Sequence, residues 1–277
     1  MPTYTVFGAT GQQGGATIAA LLESGASVRA VVRDRDKARS LAEAGADLVV
    51  ADLTDSDSVY RALDGADRVF AVTTMTDDRG TDGETADGKL IADAARAGGV
   101  QHVVYSSVGG AERNSGVPHF ESKRRVEEYL AEIGVPHTVI RPTFFFENLL
   151  SASVEDGEVV VRLPLPDDVP LQMVAVRDIG KVAAAVLLDP SRVPGGAVEF
   201  SGDERTGSQI AAAFGDHAER QARYEALPVV SLDDDMRAMF TWFTRLPAYQ
   251  ADVALTRELD PDVWDLRGWL ASGAWSG

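Results

Sequence analysis

The chain has 277 residues, with 43 Asp and Glu against 26 Lys and Arg for a net charge of −17, 45% hydrophobic residues and no cysteine. That composition is ordinary for a folded protein. The missing cysteines exclude disulfides, thiol catalysis and cysteine-ligated metals, and the acidity argues against direct binding to nucleic acid or to an anionic membrane surface. No apolar run approaches the ~20 residues of a membrane span. The glycine-rich start lacks the basic region of a signal peptide, so a cytoplasmic location is expected.

In chain order, short β-rich runs alternate with helical patterns. Strands are predicted at Tyr4 to Phe7, Ser27 to Val32, Asp47 to Val50, Arg68 to Val72, His102 to Ser106 and Thr138 to Arg141. Helices are predicted between them, from about Gln13 to Glu23, Asp36 to Ala44, Ser56 to Leu63, Thr85 to Ala97 and Phe120 to Ile133. This alternation indicates an α/β fold, a doubly wound parallel sheet of Rossmann type. Apolar runs such as Val103-Val104-Tyr105 suit strands covered on both faces.

After Pro142 the rhythm changes. A strand is expected at Glu158 to Leu163 and a return strand at Val198 to Phe200. Helices are expected at about Asp178 to Leu188, Gln209 to Phe214, Asp234 to Leu246 and Pro261 to Leu270, with prolines at 164, 166, 170 and 190. At about 150 residues per domain the length allows two units. The division expected is a dinucleotide-binding domain over 1–150 and a smaller α+β portion over 151–277, interleaved with it, that takes substrate or partner.

Gly8-Ala9-Thr10-Gly11-Gln12-Gln13-Gly14 follows the first strand and opens the first helix. In such a turn Gly8 permits the tight bend, Gly11 lets backbone approach a pyrophosphate, and Gly14 lets the helix pack close to the strand. The anion then meets free N–H groups at the helix N-terminus. A glycine-rich turn with no ligand would show the same glycines; the strand, helix and repeating βα context favour a nucleotide. Arg33 ends the second strand, 19 residues past Gly14, where an acid would receive the ribose 2′-hydroxyl of NAD and an arginine suits the 2′-phosphate of NADP. Lys37, one of only four lysines, lies a helical turn further on and could face the same phosphate. The competing view is a solvated helix start, and Asp34 beside it would oppose a phosphate. Asp52-Leu53 closes the third strand, where a carboxylate can accept the adenine amino group or simply sit at a helix N-terminus. Thr73-Thr74 closes the fourth strand at the same carboxyl edge, where ligands bind in these sheets.

These residues, with Val103-Val104-Tyr105-Ser106-Ser107, resemble the atypical short-chain dehydrogenase/reductase superfamily, and more narrowly its NmrA-like branch. Three further segments carry the resemblance: His119-Phe120-Glu121-Ser122-Lys123, Phe145-Phe146-Glu147-Asn148-Leu149-Leu150, and a tail including Tyr249-Gln250-Ala251-Asp252-Val253 and Trp269-Leu270. The resemblance implies NADP(H) as cofactor. Gly8, Thr10, Gly11, Gln12, Gln13 and Gly14 would hold the pyrophosphate and Arg33 with Lys37 the 2′-phosphate. Lys123 would contact the nicotinamide ribose, and Phe145 would lie by the nicotinamide ring.

The superfamily's usual Tyr-x-x-x-Lys is replaced here by His119-x-x-x-Lys123, and no complete Ser/Tyr/Lys set can be assembled. His119 could donate a proton near neutrality, but no partner to orient it is evident in the sequence, and Lys123 reads as a cofactor ligand. Two functions follow. One is an NADPH-dependent reductase of quinones or related apolar electrophiles, whose proton can come from water, with Phe144, Phe145, Phe146, Trp242 and Phe243 either lining a pocket or forming core. The other is a non-catalytic NADP(H) redox sensor acting on a regulatory protein partner. The protein is expected to be a monomer or homodimer. The four histidines lack metal-ligand spacing, so no metal site is expected. Asp233-Asp234-Asp235 reads as a helix start.

Overall fold

The computed structural model describes residues 2–276. Seven parallel strands form the main sheet: β1 (Thr3–Val6), β2 (Ser27–Val32), β3 (Asp47–Val50), β4 (Arg68–Ala71), β5 (His102–Ser106), β6 (His137–Pro142) and a seventh from the second half of the chain, Ala197–Phe200. The spatial order is seventh strand, β6, β5, β4, β1, β2, β3, so the winding reverses between β1 and β4. The crevice outside the carboxyl ends at that reversal is where such sheets bind ligands.

Alternation along the strands explains why both faces are covered. Val6, Phe70, Val104 and Ile140 point to one side, where α1 (Gln12–Glu23) and the later helix Val176–Leu188 bury Ile18, Leu21, Ile179, Val182 and Val186 against them. Their neighbours Phe7, Val69, Val103 and Tyr105 point to the other, under α3 (Ser56–Ala62), α4 (Gly80–Ala97) and α5 (Pro118–Ile133). Side chains two residues apart share a face, so each strand feeds both layers.

Most expected elements are present, with shifted ends. The second helix, α2, is only Arg39–Glu43, because the Asp34 side chain accepts the N–H groups of Asp36 and Lys37 at 2.9 and 3.4 Å and closes a turn where helix was expected. Helix α4 starts at Gly80 rather than Thr85: Arg79 pairs with Asp77 and, bidentately at 2.8 Å, with Asp87, stabilising a first turn whose glycines concealed it.

The rest forms a cap. Strand β7 (Phe144–Phe145) pairs in parallel with β10 (Leu171–Val174); β8 (Ser153–Glu155) and β9 (Glu158–Leu163) form a hairpin. Asp156 and Gly157 are its turn, both with positive φ (51° and 87°), the conformation a two-residue hairpin requires. Helix α6 (Val176–Leu188) leads to the seventh strand of the main sheet, β11 (Ala197–Phe200), and then β12 (Asp203–Arg205) pairs antiparallel with β10. After α7 (Gly207–Ala218), β13 (Ala222–Ala226) joins β9 in parallel. Helices α8 (Asp234–Phe243), α9 (Val253–Leu259) and α10 (Leu266–Ala271) complete the chain; α9 was not expected. Strands β7, β10, β12 and β13 leave no local signal because they take their partners from distant parts of the chain. Glu147 of the Phe-Glu-Asn-Leu-Leu segment ties the cap together: its carboxylate accepts the Val176 N–H that opens α6 and the Trp269 indole N–H, each at 3.1 Å. Among the described residues, no helix is long and apolar enough to cross a membrane.

Candidate functional site

The turn from β1 into α1 lies at the sheet reversal. Gly8 has φ +70° and a Cβ there would stand 2.6 Å from Val72 Cγ1, beyond β4. Gly11 donates its N–H to the Gly8 carbonyl at 2.9 Å and caps α1 with no side chain. A Cβ on Gly14 would lie 2.6 Å from the Gly8 carbonyl carbon and closer still to its oxygen. Glycine is therefore required at 8 and 14 by geometry. Thr10, Gly11 and Gln12 are exposed and α1 has no acid in its first turn, so its N–H groups open into the crevice. Gln13 is oriented across it: its Oε1 accepts the Ser106 hydroxyl from the end of β5 at 2.6 Å.

Arg33 is exposed beyond β2 and makes no ion pair among the described residues. Lys37 lies in the same loop, 84% exposed and 4.0 Å from Asp34. Asp34 itself is occupied with the turn and with Lys37, which blunts its opposition to an anion near Arg33. Asp52 accepts the Thr54 N–H and hydroxyl at 2.8 and 2.7 Å, which holds its carboxyl below the usual value, with Arg33 contributing. Leu53 is half-buried beside it.

At the carboxyl end of β4 sits a buried polar cluster. Lys123 Nζ donates to the Thr73 carbonyl at 3.0 Å and pairs with Glu84 Oε1 at 2.9 Å; Glu84 is also bonded to the Ser122 hydroxyl. Burial works against the Lys123 charge, but Tyr105, Glu84 and Glu127 outweigh it and hold the ammonium above its ordinary pKa. An ammonium has three donors, and these contacts use two. Tyr105 bonds Thr73 Oγ1 at 3.1 Å, and burial pushes its phenol up to about 12. At 1% exposure it is no substitute for the missing tyrosine. Thr74 is exposed at the rim, 3.1 Å from the Thr76 hydroxyl.

His119, one turn from Lys123 on the same face of α5, has a partner that sequence reasoning missed. Asp235 of α8 accepts the His119 main-chain N–H at 3.0 Å and lies 2.7 Å from Nδ1. Asp233 caps α8 by accepting the Met236 N–H, so the acidic triplet starts the helix as expected, and its third member also reaches His119. Burial acts to raise the Asp235 carboxyl, but the hydrogen bonds and charge of His119 prevail and hold it below its ordinary value.

Helix α8 carries the cap onto this end of the crevice. Trp242 and Tyr249 rest on the loop after β5, where a Cβ at Gly110 would stand 2.5 Å from Trp242 Cζ2 and closer still to Cη2, and one at Gly109 2.7 Å from Tyr249 Cδ1. Phe144, Phe146, Trp242 and Phe243 are buried with Phe240 and Tyr249 in the cap core, which resolves their open assignment. Phe145 alone is half-buried, against the other cluster, at the carboxyl edge. Beneath them Arg113 joins Glu199 at 2.7 Å and Arg141 joins Glu127 at 2.6 Å.

Glu84, Tyr105 and Asp235 are the site residues that sequence reasoning missed. Glu84 reads as one acid among 43, and only the crossing of α4 with α5 identifies it.

Residues 2–263 match the NmrA-like family. The chain belongs to the NmrA-like family. It is 31% identical over 238 residues to the NAD(P)H azoreductase of Xenophilus azovorans, a match covering 84% of this chain and 80% of that one. Its fold superposes on NmrA, a negative transcriptional regulator solved with NADP, with a TM-score of 0.84 at 23% identity, covering 97% of this chain and 94% of that one. The NADPH-dependent quinone oxidoreductase of Escherichia coli, solved with NADPH, gives a TM-score of 0.82 at 23% identity, covering 98% and 99%. At those identities the likeness to the solved structures is one of fold.

Proposed function

We propose that this chain binds NADP(H) and reduces quinone-like or other small apolar electrophiles. The observation that carries the reading is the glycine turn at the sheet reversal: backbone crowds positions 8 and 14, and the α1 N-terminus is left uncapped by any side chain. That cradle fits a pyrophosphate by shape and by the direction of its N–H groups. Arg33, with Lys37 nearby, would take the 2′-phosphate; Asp52 and Leu53 would border the adenine, and Thr73 and Thr74 the middle of the crevice. Lys123 would offer its third donor to the nicotinamide ribose, and Phe145 would lie by the ring. When bound, the cofactor supplies hydride. The chain's own residues would orient it, with Trp242 and Tyr249 packed on Gly110 and Gly109 in the loop after β5. The azoreductase named above supports a reductase over other uses of the fold.

One observation favours a second reading, a non-catalytic sensor of NADP(H) acting on a protein partner. Position 119 is not tyrosine, and Glu84 neutralises Lys123 at 2.9 Å, so the usual proton-transfer set is incomplete. NADPH consumption across a panel of quinones and aldehydes, beside titration with NADPH and NADP, separates the two. Turnover supports the reductase; tight binding without turnover of any acceptor supports the sensor.

A further inference from the structure

His119 and Asp235 come from opposite halves of the chain and meet in the seam between α5 and α8. Both Asp235 oxygens are engaged, one by the His119 main-chain N–H and one by Nδ1, so ring and helix are held together. Phe120 packs edge-on against the His119 ring at 4.7 Å and against Trp242 at 5.3 Å, fixing the seam from its apolar side. His119 Nε2 has no partner among the described residues and is not among the buried unpaired atoms, so it keeps access to solvent. Lys123 lies one turn deeper on the same face of α5, with its ammonium at the carboxyl end of β4.

We infer that His119, positioned by Asp235, is the proton donor of the reductase, and that the pair fits the protein to aldehydes and enones as well as quinones. The inference rests on the reductase reading above. A reduced quinone leaves as a phenolate, stable enough to take its proton from water. Hydride addition to an aldehyde leaves an alkoxide, far more basic, which needs an acid at hand. In the balanced step the carbonyl carbon gains a hydride from the dihydronicotinamide and the C=O π bond breaks. The oxygen takes the proton from His119 Nε2, and the nicotinamide leaves oxidised. Asp235 accepts at Nδ1, so the neutral ring keeps its remaining proton there and recovers the other from water. Asp235 is thus a positioning residue and His119 the catalytic one, the arrangement by which an aspartate fixes a histidine's tautomer in other enzymes.

The test uses NADPH with 1,4-benzoquinone and with cinnamaldehyde. The wild type should reduce both. H119Q should lower kcat for cinnamaldehyde by roughly 100-fold or more, with KM little changed, and should lower benzoquinone turnover by far less. D235N should act in the same direction, D235E should restore part of the loss, and the H119Q/D235N pair should be no worse than H119Q. In the protein without cofactor, ring 15N NMR should find neutral His119 protonated on Nδ1, and on Nε2 in D235A. Wild-type turnover of benzoquinone alone, equal loss with both acceptors, or a wild-type ring protonated on Nε2 overturns the inference and leaves the reductase reading standing. No turnover of either acceptor removes both.

Discussion

Glu84 Oε1 stands 2.9 Å from Lys123 Nζ with both side chains buried, so the lysine expected to meet the cofactor is also half of an interior ion pair. Removing one partner of such a pair strands a buried charge, at about 3–5 kcal/mol, whereas replacing both by apolar groups of similar size is often close to neutral. Lys123→Ala should therefore unfold at clearly lower temperature. The double variant Lys123→Met with Glu84→Leu should regain most of that stability without regaining NADPH affinity. Thermal unfolding beside NADPH titration checks both halves; recovered binding in the double variant would remove Lys123 from the cofactor site.

Arg33 is exposed and unpaired among the described residues, so its loss should leave the melting temperature unchanged. A hydrogen bond to a charged group contributes about 1.5–3 kcal/mol. Arg33→Ala should then weaken NADPH binding by roughly 10- to 100-fold and leave NADH binding as it was. Isothermal titration with the two dinucleotides reads the difference directly, and an equal loss for both would contradict a 2′-phosphate contact.

Gly14 and Gly15 are adjacent in α1 and should respond oppositely to alanine. At 14 the added methyl meets the Gly8 carbonyl and Ala9 Cα, all main chain that cannot step aside; at 15 its nearest neighbour is the Ala9 oxygen, at an ordinary 3.7 Å. Gly14→Ala should displace the turn and abolish NADPH binding. Gly15→Ala should bind normally and be stabilised by a few tenths to about 1 kcal/mol, since alanine is the better helix former. Fluorescence titration and denaturant unfolding of the two variants provide the comparison.

The same contrast explains how much was legible beforehand. The glycine turn, the alternating strands and the carboxyl-edge positions of Arg33, Asp52 and Thr73 are local: each follows from a period, a spacing or a strand end within about 20 residues. The buried cluster around Lys123 and the His119–Asp235 contact are not. They join residues on different helices, and an acid that will be buried looks the same in the sequence as one that stays in water. Asp235 was hidden further by a sufficient local role, because acids belong in a first helical turn anyway. The cap's short strands fail for a related reason: β7 with β10, and β13 with β9, pair across long separations that no local pattern records.

Asp178 and Asp260 give the fold a pH dependence of its own. Asp178 is fully buried in the first turn of α6 and Asp260 follows α9; Asp178 accepts the Trp264 N–H at 2.9 Å and the Arg177 guanidinium at 2.8 Å. Lys181 reaches Asp260 and Asp262 at 3.6 Å, yet Asp260 Oδ2 is buried without a partner, which a proton shared with Asp178 would satisfy. Burial, and then Asp260, push the Asp178 carboxyl from 3.8 up to about 7. A group whose pKa is higher folded than unfolded binds its proton more tightly in the folded state. Its contribution is full below about pH 4 and is lost as pH rises through the folded value of about 7. Stability should therefore decline between pH 4 and 8 through this pair, and Asp178→Asn, which keeps an acceptor for Trp264 and supplies a donor for Asp260, should flatten the decline. Urea unfolding at a series of pH values measures it; an unchanged slope in the variant would assign the pH dependence to other groups.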